Sequence, residues 1–215
     1  MKDFVIFDLD GTLNESGEGI KNSAKYALKK FGINATDDQT LSKLIGPPLK
    51  FGFCEYYGLS DSDSEQAVKY YREYYSAKGI FECALYSGIE QLLAKLKNAG
   101  KKLLIATSKP YEYTIKVLQN ANILHYFDCV EGISFSDEHA TKQQLIFNCI
   151  SKTNAMLERC VMVGDRKYDV IGAKQNGITS IGVCYGYGSK QELEENCADY
   201  TVDTVEQLEN LLFSL

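Results

Sequence analysis

The chain predicts an α/β fold: a Rossmann-like parallel sheet core with helices on both faces, interrupted by an inserted small helical cap domain. Three observations carry this prediction. From residue 85 onward, amphipathic segments of helical period alternate with short apolar runs, the pattern of a parallel sheet joined by right-handed crossovers. The first apolar run, Phe4-Val5-Ile6-Phe7, leads straight into Asp8-Leu9-Asp10-Gly11, so two carboxylates stand at a strand's carboxyl end. Between these regions, residues 16–81 show helical periodicity with no intervening strand.

Each element has its own signal. In the insert, Ile20, Ala24, Ala27, Leu28 and Phe31 share one helical stripe, Gly46-Pro47-Pro48 marks a loop, and residues 61–78 form a second helix. Tyr70, Tyr71, Tyr74 and Tyr75 fall on neighbouring turns of that helix and fit helix packing better than substrate stacking. Residues 87–99 place Ile89, Leu92, Leu93 and Leu96 on one stripe, Gly100 ends the helix, and 102–107 is a buried strand. The unit then repeats as helix 111–122 with strand 129–133, helix 142–152 with strand 160–163, and helix 169–176 with strand 179–183. Strand 200–202 and helix 205–213 follow. The expected domains are therefore a discontinuous catalytic core, 1–15 with 82–215, and a cap, 16–81.

Composition narrows the function. At 215 residues, 45% hydrophobic and 24% charged, the chain suits one core with a small insert. A net charge of −6, with no Lys/Arg cluster longer than two, argues against partners such as a nucleic acid polymer or a membrane surface. No run approaches the ~18 apolar residues of a membrane helix, and no signal peptide is expected. Seven cysteines without a Cys-x-x-Cys read as reduced thiols of a cytoplasmic protein, a monomer or a homodimer. His125 and His139 are the only histidines, and without paired His/Cys spacing they argue against zinc. Asn14-Glu15-Ser16 matches a glycosylation acceptor, which is idle in a cytoplasmic chain.

Ligands of open parallel sheets sit at the carboxyl ends of the strands. There the sequence delivers Asp8 and Asp10, Thr107 and Ser108, and Gly164-Asp165 with Asp169, while Lys142 opens a helix beside them. Side chains two apart on an extended segment share a face, so Asp8 and Asp10 can address one substrate. Asp8 is the candidate nucleophile toward phosphorus, and Asp10 the candidate proton donor and acceptor. Mg²⁺ is the expected cofactor, with Asp8, Asp165 and the backbone carbonyl of Asp10 as inner ligands and Asp169 behind them. Thr107, Lys142 and the N–H groups near Leu9 and Ser108 are the candidates for holding phosphate oxygens. Taken singly, each has a plainer reading: a turn aspartate, a strand-end hydroxyl, a solvated lysine, a helix N-cap at Asp165. Their order along one sheet edge points to one site.

In order, and across nearly the whole chain, Asp8-Leu9-Asp10-Gly11-Thr12-Leu13, Thr107, Lys142 and Gly164-Asp165 through Asp169 resemble the four motifs of the haloacid dehalogenase superfamily. The resemblance implies a phosphatase, because dehalogenases of that family lack the second acid, here Asp10. Thr12 also looks more like the phosphatases than the mutase branch. The insert is similar to the α-helical cap of the first subclass, and Gly182 through Gly188 resembles the segment after the fourth motif in phosphoglycolate phosphatase-like members. Ser108-Lys109-Pro110 keeps 5'-nucleotidase-like relatives in view. Glu15 and Ser87 depart from the Asp and Pro that relatives carry beside the cap, which touches cap geometry and not chemistry.

By the same resemblance the cap reads the leaving group, through residues 16–19 and 46–49, with Ser16, Gly19 and Gly46 as candidate substrate contacts. Glu18 would repel a second carboxylate unless Lys21 or Lys50 neutralised it, which disfavours phosphoglycolate and leaves it level with nucleoside monophosphates. Two other classes use similar parts. A β-phosphoglucomutase-like sugar-phosphate mutase would need a bisphosphate activator, and a receiver-type phospho-signalling module would be shorter and uncapped.

Overall fold

The structure, a computed structural model, describes residues 1–134 and 140–215, so His139 lies outside the described residues. The chain divides into two compact units, Met1–Glu15 with Leu85–Leu215, and Ser16–Ala84. Two short strands, β2 (Asn14–Glu15) and β3 (Ala84–Leu85), lie where the chain passes from one unit to the other.

The first unit is built on a parallel sheet. Its strands are β1 (Phe4–Phe7), β4 (Lys102–Pro110), β5 (Cys129–Ile133), β6 (Cys160–Gly164), β7 (Thr179–Val183) and β8 (Tyr200–Val202), in the spatial order β5-β4-β1-β6-β7-β8. Every pairing is parallel. The α/β architecture expected from the alternating pattern is present. Along β1 the side chains alternate between two cores. Ile6 joins Leu104, Ala106 and Met162 under Leu145, Ile146 and Cys149 of α7 (Lys142–Thr153) and Ala173 of α8 (Lys167–Gln175). Buried Val5, Phe7 and Val163 take the opposite face. Helices α5 (Ile89–Asn98), with Ile89, Leu92, Leu93 and Leu96 all buried, and α6 (Tyr111–Asn120) also pack on β4.

Register positions the site. Phe7 stands opposite Ile105 of β4 and Val163 of β6, so β1 and β6 end within a residue of each other while β4 runs on to Pro110 beside them. The Asp8 N–H then donates to the Val163 carbonyl at 2.9 Å, extending the ladder one residue and fixing where Asp8 emerges. Because the chain runs from β1 outward to β4 and β5 and then returns to β6, this edge is the point where strand order reverses.

The second unit consists of α1 (Gly17–Lys29), α2 (Asp38–Ser42), α3 (Leu49–Tyr57) and α4 (Asp61–Ala77). Buried Ile20, Ala24, Ala27 and Leu28 of α1 meet α4, whose own buried residues include Ala67, Tyr71 and Tyr75. The tyrosines are packing groups: Tyr71 stacks on Tyr75 at 5.5 Å and Tyr26 lies 5.4 Å from Tyr74. Phe53 is fully buried whereas Phe51 is exposed.

Three short helices have no periodic signal in the sequence: α2, α3 and α9 (Lys190–Glu195). Local chemistry makes two of them. The Asp37 side chain accepts the N–H groups of Gln39 and Thr40 to start α2, and Ser189 accepts that of Glu192 to start α9. Helix α3 follows Pro48, and Gly58 in the left-handed region (φ 66°) ends it. The last helix, α10 (Val205–Ser214), buries Leu208 and Leu212.

Candidate active site

Asp8, Asp165 and Asp169 converge at the carboxyl edge, where a carboxylate oxygen from each lies within 4.8 Å of the others. All three are buried, Asp165 at 0% exposure. Their crowding needs an account, because like charges removed from water repel strongly. Burial first, then the charges of Asp8 and Asp169, push the Asp165 carboxyl from 3.8 up to about 8, against the opposing Tyr187 N–H. Burial also raises Asp169, to about 6, with Lys142 opposing and Asp8 adding to the rise.

Lys142 is the buried counter-ion. Its ammonium lies 2.9 Å from Oδ1 of both Asp8 and Asp169 and donates to the Ala106 carbonyl at 3.0 Å. Burial alone would lower its pKa, but Asp169 and Asp8 outweigh that and raise it, so it stays charged. Thr141 caps the helix by accepting the Gln144 N–H, which sets Lys142 as the first helical residue and directs its stem at the sheet edge.

A second pair lies beside the first. Asp10 Oδ2 is paired with the Lys109 ammonium, whose side chain is 5% exposed, while Asp10 Oδ1 is buried without a hydrogen-bond partner among the described residues. Three buried carboxyl groups thus share one ammonium, an all-oxygen donor set short of positive charge. A hard divalent cation fits that deficit and those donors.

Glycines let this cluster close. A Cβ on Gly11, which has φ +86°, would lie 2.2 Å from Asp165 Oδ2. One on Gly186 would lie 2.3 Å from the Gly11 carbonyl oxygen, and one on Gly188 1.9 Å from the Asp165 carbonyl oxygen. The segment Tyr185 to Gly188 therefore lies directly on Asp165, and the Tyr187 N–H donates to Asp165 Oδ2 at 2.8 Å. Thr12 Oγ donates to the other carboxylate oxygen at 3.2 Å, and the Tyr185 hydroxyl donates to the Thr12 carbonyl at 3.0 Å. The Leu9 carbonyl accepts three N–H groups, from Thr12, Leu13 and Asn14, which ties the turn after β1 into a rigid knot.

The remaining candidates distribute as follows. Thr107 is buried on β4 just before its register breaks and its hydroxyl oxygen accepts the Lys109 N–H at 3.3 Å, while Ser108 is exposed. The N-cap of α8 is Arg166, not Asp165, and Asp169 accepts the Arg166 N–H at 3.1 Å. Ser16, Gly19 and Gly46 belong to the helical unit. Ser16 is the N-cap of α1, with a buried hydroxyl that lacks a partner among the described residues. Gly19 serves helix packing, since a Cβ there would lie 2.0 Å from the Gly79 carbonyl oxygen, and Gly46 makes a turn at φ +105°. Lys21 pairs with Asp38 at 2.9 Å and Lys50 with Glu65 at 2.8 Å, so Glu18 is not neutralised by either.

Lys109, Thr12 and the Tyr187 N–H are the site groups to which the sequence reading gave no role. For Lys109 spacing is a poor guide, because it stands in a break of the β4–β5 register between Thr107 and Pro110, where simple alternation does not hold. The contact of residues 185–188 with Asp165 had no signal in spacing either, because it is made by backbone.

A family model described as haloacid dehalogenase-like hydrolase matches residues 5–183. A 5'-nucleotidase of Pseudomonas aeruginosa is 36% identical over 91% of this chain and 90% of its own length. Tyrosine-protein kinase PtkA of Mycobacterium tuberculosis is 37% identical over 86% of this chain, which spans 62% of that protein. Among solved structures, that of a predicted phosphatase from Clostridium acetobutylicum superposes with a TM-score of 0.93 at 43% identity, covering 100% of both chains. With its family match spanning the first strand, the acidic cluster and β7, and with phosphatases among its relatives, this chain belongs to the haloacid dehalogenase-like hydrolase family and is one of its phosphatases.

Proposed function

We propose that the protein is a Mg²⁺-dependent phosphatase of small phosphomonoesters that works through an aspartyl-phosphate on Asp8, with nucleoside monophosphates as its preferred substrate class. The observation that carries this reading is the buried triad of Asp8, Asp165 and Asp169 tied to Lys142, at the carboxyl edge of the sheet. Mg²⁺ would be held by Asp8, Asp165 and the Asp10 carbonyl, with Asp169 behind them, and when bound it supplies positive charge that offsets repulsion between Asp8 and a dianionic phosphate.

The chain's own groups divide the work. Asp8 attacks phosphorus in line with the leaving oxygen, so one difficult hydrolysis becomes two easier steps. Lys142 holds the Asp8 carboxylate in place through the ion pair at 2.9 Å, itself anchored on the Ala106 carbonyl. Asp10 gives a proton to the departing alkoxide and then takes one from the attacking water. Thr107 hydroxyl, the N–H groups of Leu9 and Ser108, and Lys142 steady the phosphate oxygens.

We assign leaving-group selection to the helical unit. Glu18, exposed and with Lys21 and Lys50 engaged elsewhere, weighs against phosphoglycolate, whose leaving group carries its own carboxylate. The 5'-nucleotidase relative supports the nucleotide class. Seven cysteines without a Cys-x-x-Cys fit a reducing, cytoplasmic setting, and no helix among the described residues is long and apolar enough to cross a membrane.

Phosphate release from a panel of nucleoside monophosphates, phosphoglycolate and sugar phosphates, with Mg²⁺ and then with chelator, tests the whole reading. Metal-dependent release, highest for nucleotides, is the expected result. Release that survives chelation would overturn the metal role. Preference for phosphoglycolate would overturn the substrate assignment, and turnover only with a bisphosphate activator would replace hydrolysis by the mutase reaction. ATP with a tyrosine peptide puts the kinase name of PtkA to the same test.

A further inference from the structure

Lys142 is committed to the nucleophile, yet the site holds a second buried ammonium, and nothing in the reaction as described uses it. Lys109 reaches the edge through a break in the sheet. Thr107 of β4 is paired with Gly132 of β5, and the next pair is Pro110 with Ile133, so Ser108 and Lys109 are extra residues on β4. Bulges of this kind re-aim side chains beside active sites.

Here the bulge is held on several sides. The Lys109 N–H donates to Thr107 Oγ at 3.3 Å, and its carbonyl accepts the Thr114 hydroxyl at 3.4 Å. That carbonyl also lies so close to Gly132 that a Cβ there would stand 2.7 Å from it. The backbone of Lys109 is thus fixed, and its buried side chain ends on Asp10 Oδ2.

From this geometry we infer that Lys109 is a positioning residue for Asp10: it grips one carboxylate oxygen so that the other, Oδ1, stands open for giving a proton to the leaving group and taking one from the attacking water. The inference rests on the acid/base role proposed for Asp10. Only Oδ2 carries the ion pair, and Oδ1 is buried without a hydrogen-bond partner among the described residues. A flexible aspartate side chain could present either oxygen in several rotamers, and holding one oxygen selects the presentation of the other. The two lysines then have separate charges in their care, Lys142 the group that attacks and Lys109 the group that assists departure.

Leaving-group dependence separates this role from a structural one. An alkoxide leaving group needs a proton as the bond breaks, whereas a nitrophenolate leaves well without one. With the full chain and Mg²⁺, Lys109→Met is expected to lower the single-turnover rate of leaving-group release by about 10²-fold for a nucleoside monophosphate and by only about 3-fold for 4-nitrophenyl phosphate, with the half-saturating substrate concentration little changed. Lys109→Arg is expected to recover part of the loss. In combination with Asp10→Asn the loss should not multiply, since both changes remove one function.

Equal loss of that release rate on both substrates would overturn the inference in favour of a structural role, as would a melting temperature lowered in proportion to the loss. A raised KM with kcat intact would overturn it in favour of a substrate contact. Asp10→Asn alone reports on the underlying reading. If it lowers the single-turnover rate of leaving-group release equally for both substrates, the acid role of Asp10 fails first, independently of Lys109.

Discussion

At the sheet edge and in the helical unit the same device, a glycine at a close approach, serves opposite ends. Gly11, Gly186 and Gly188 let backbone close on Asp165, so that polar groups can be crowded together out of water. Gly19 and Gly79 let α1 and the chain after α4 touch, so that apolar and aromatic groups can pack. The first unit carries conflict, with three buried carboxylates against one lysine. In the second, charges such as Lys21 and Lys50 sit in ordinary surface pairs. The contrast teaches where chemistry is held: in the unit whose backbone forces charges together, and not in the one whose backbone keeps them apart.

That contrast can be broken by substitution, most decisively at Asp8. Asp8→Asn is expected to lower turnover by at least about 10³-fold while the far-ultraviolet circular dichroism stays native. Activity near that of the unaltered protein would remove the nucleophile. Next comes the cradle: Gly186→Ala must displace either the Gly11 carbonyl or Asp165, and should cost about 1–3 kcal/mol of stability together with most of the activity. A denaturant titration alongside initial rates checks both.

Asp165→Asn sharpens the same point by separating stability from function. A carboxyl with a folded pKa near 8 and an ordinary value of 3.8 keeps its proton when folded and loses it when unfolded. The chelated protein should therefore lose stability as pH rises from about 4 to about 8 and level off above that. Asp165→Asn should flatten that decline and melt about 4 °C higher than the unaltered chelated protein at pH 8, while losing metal-dependent turnover. A variant that melts lower at pH 8 would mean that the acidic crowding does not strain the metal-free site. Gly19→Ala is the counterpart in the helical unit, expected to cost about 1–3 kcal/mol by pushing on the Gly79 carbonyl. Lys50→Ala, which breaks an exposed pair, should change stability by less than about 0.5 kcal/mol.

The sequence spoke clearly wherever spacing alone fixes geometry. Asp8 and Asp165 could be read because each follows a buried strand, and the register of β1 with β6 brings strand ends level whatever the side chains are. Lys109 was harder, since its approach depends on a bulge that alternation does not announce. The Tyr187 N–H could not be read from residue type at all, because any residue at that position offers the same group. In the helical unit, α2 depends on one aspartate cap and α3 on a Pro48 start and a Gly58 end, signals too local for periodicity to reveal. Gly19 is a similar case: its lack of a side chain admits the Gly79 carbonyl, a contact between distant stretches that local spacing does not announce.

The central position of β1 also governs the order in which the protein can be assembled. Its partners begin at Lys102 on one side and at Cys160 on the other, with the whole of Ser16–Ala84 made between. As the chain leaves the ribosome, the helical insert has its complete sequence before β1, the strand that leads into Asp8, has either neighbour. That strand is enclosed only when residues 160–164 have emerged. A nascent chain halted before Cys160 would keep β1 open on one edge, and its cleavage by protease at that strand would measure how late the catalytic edge closes.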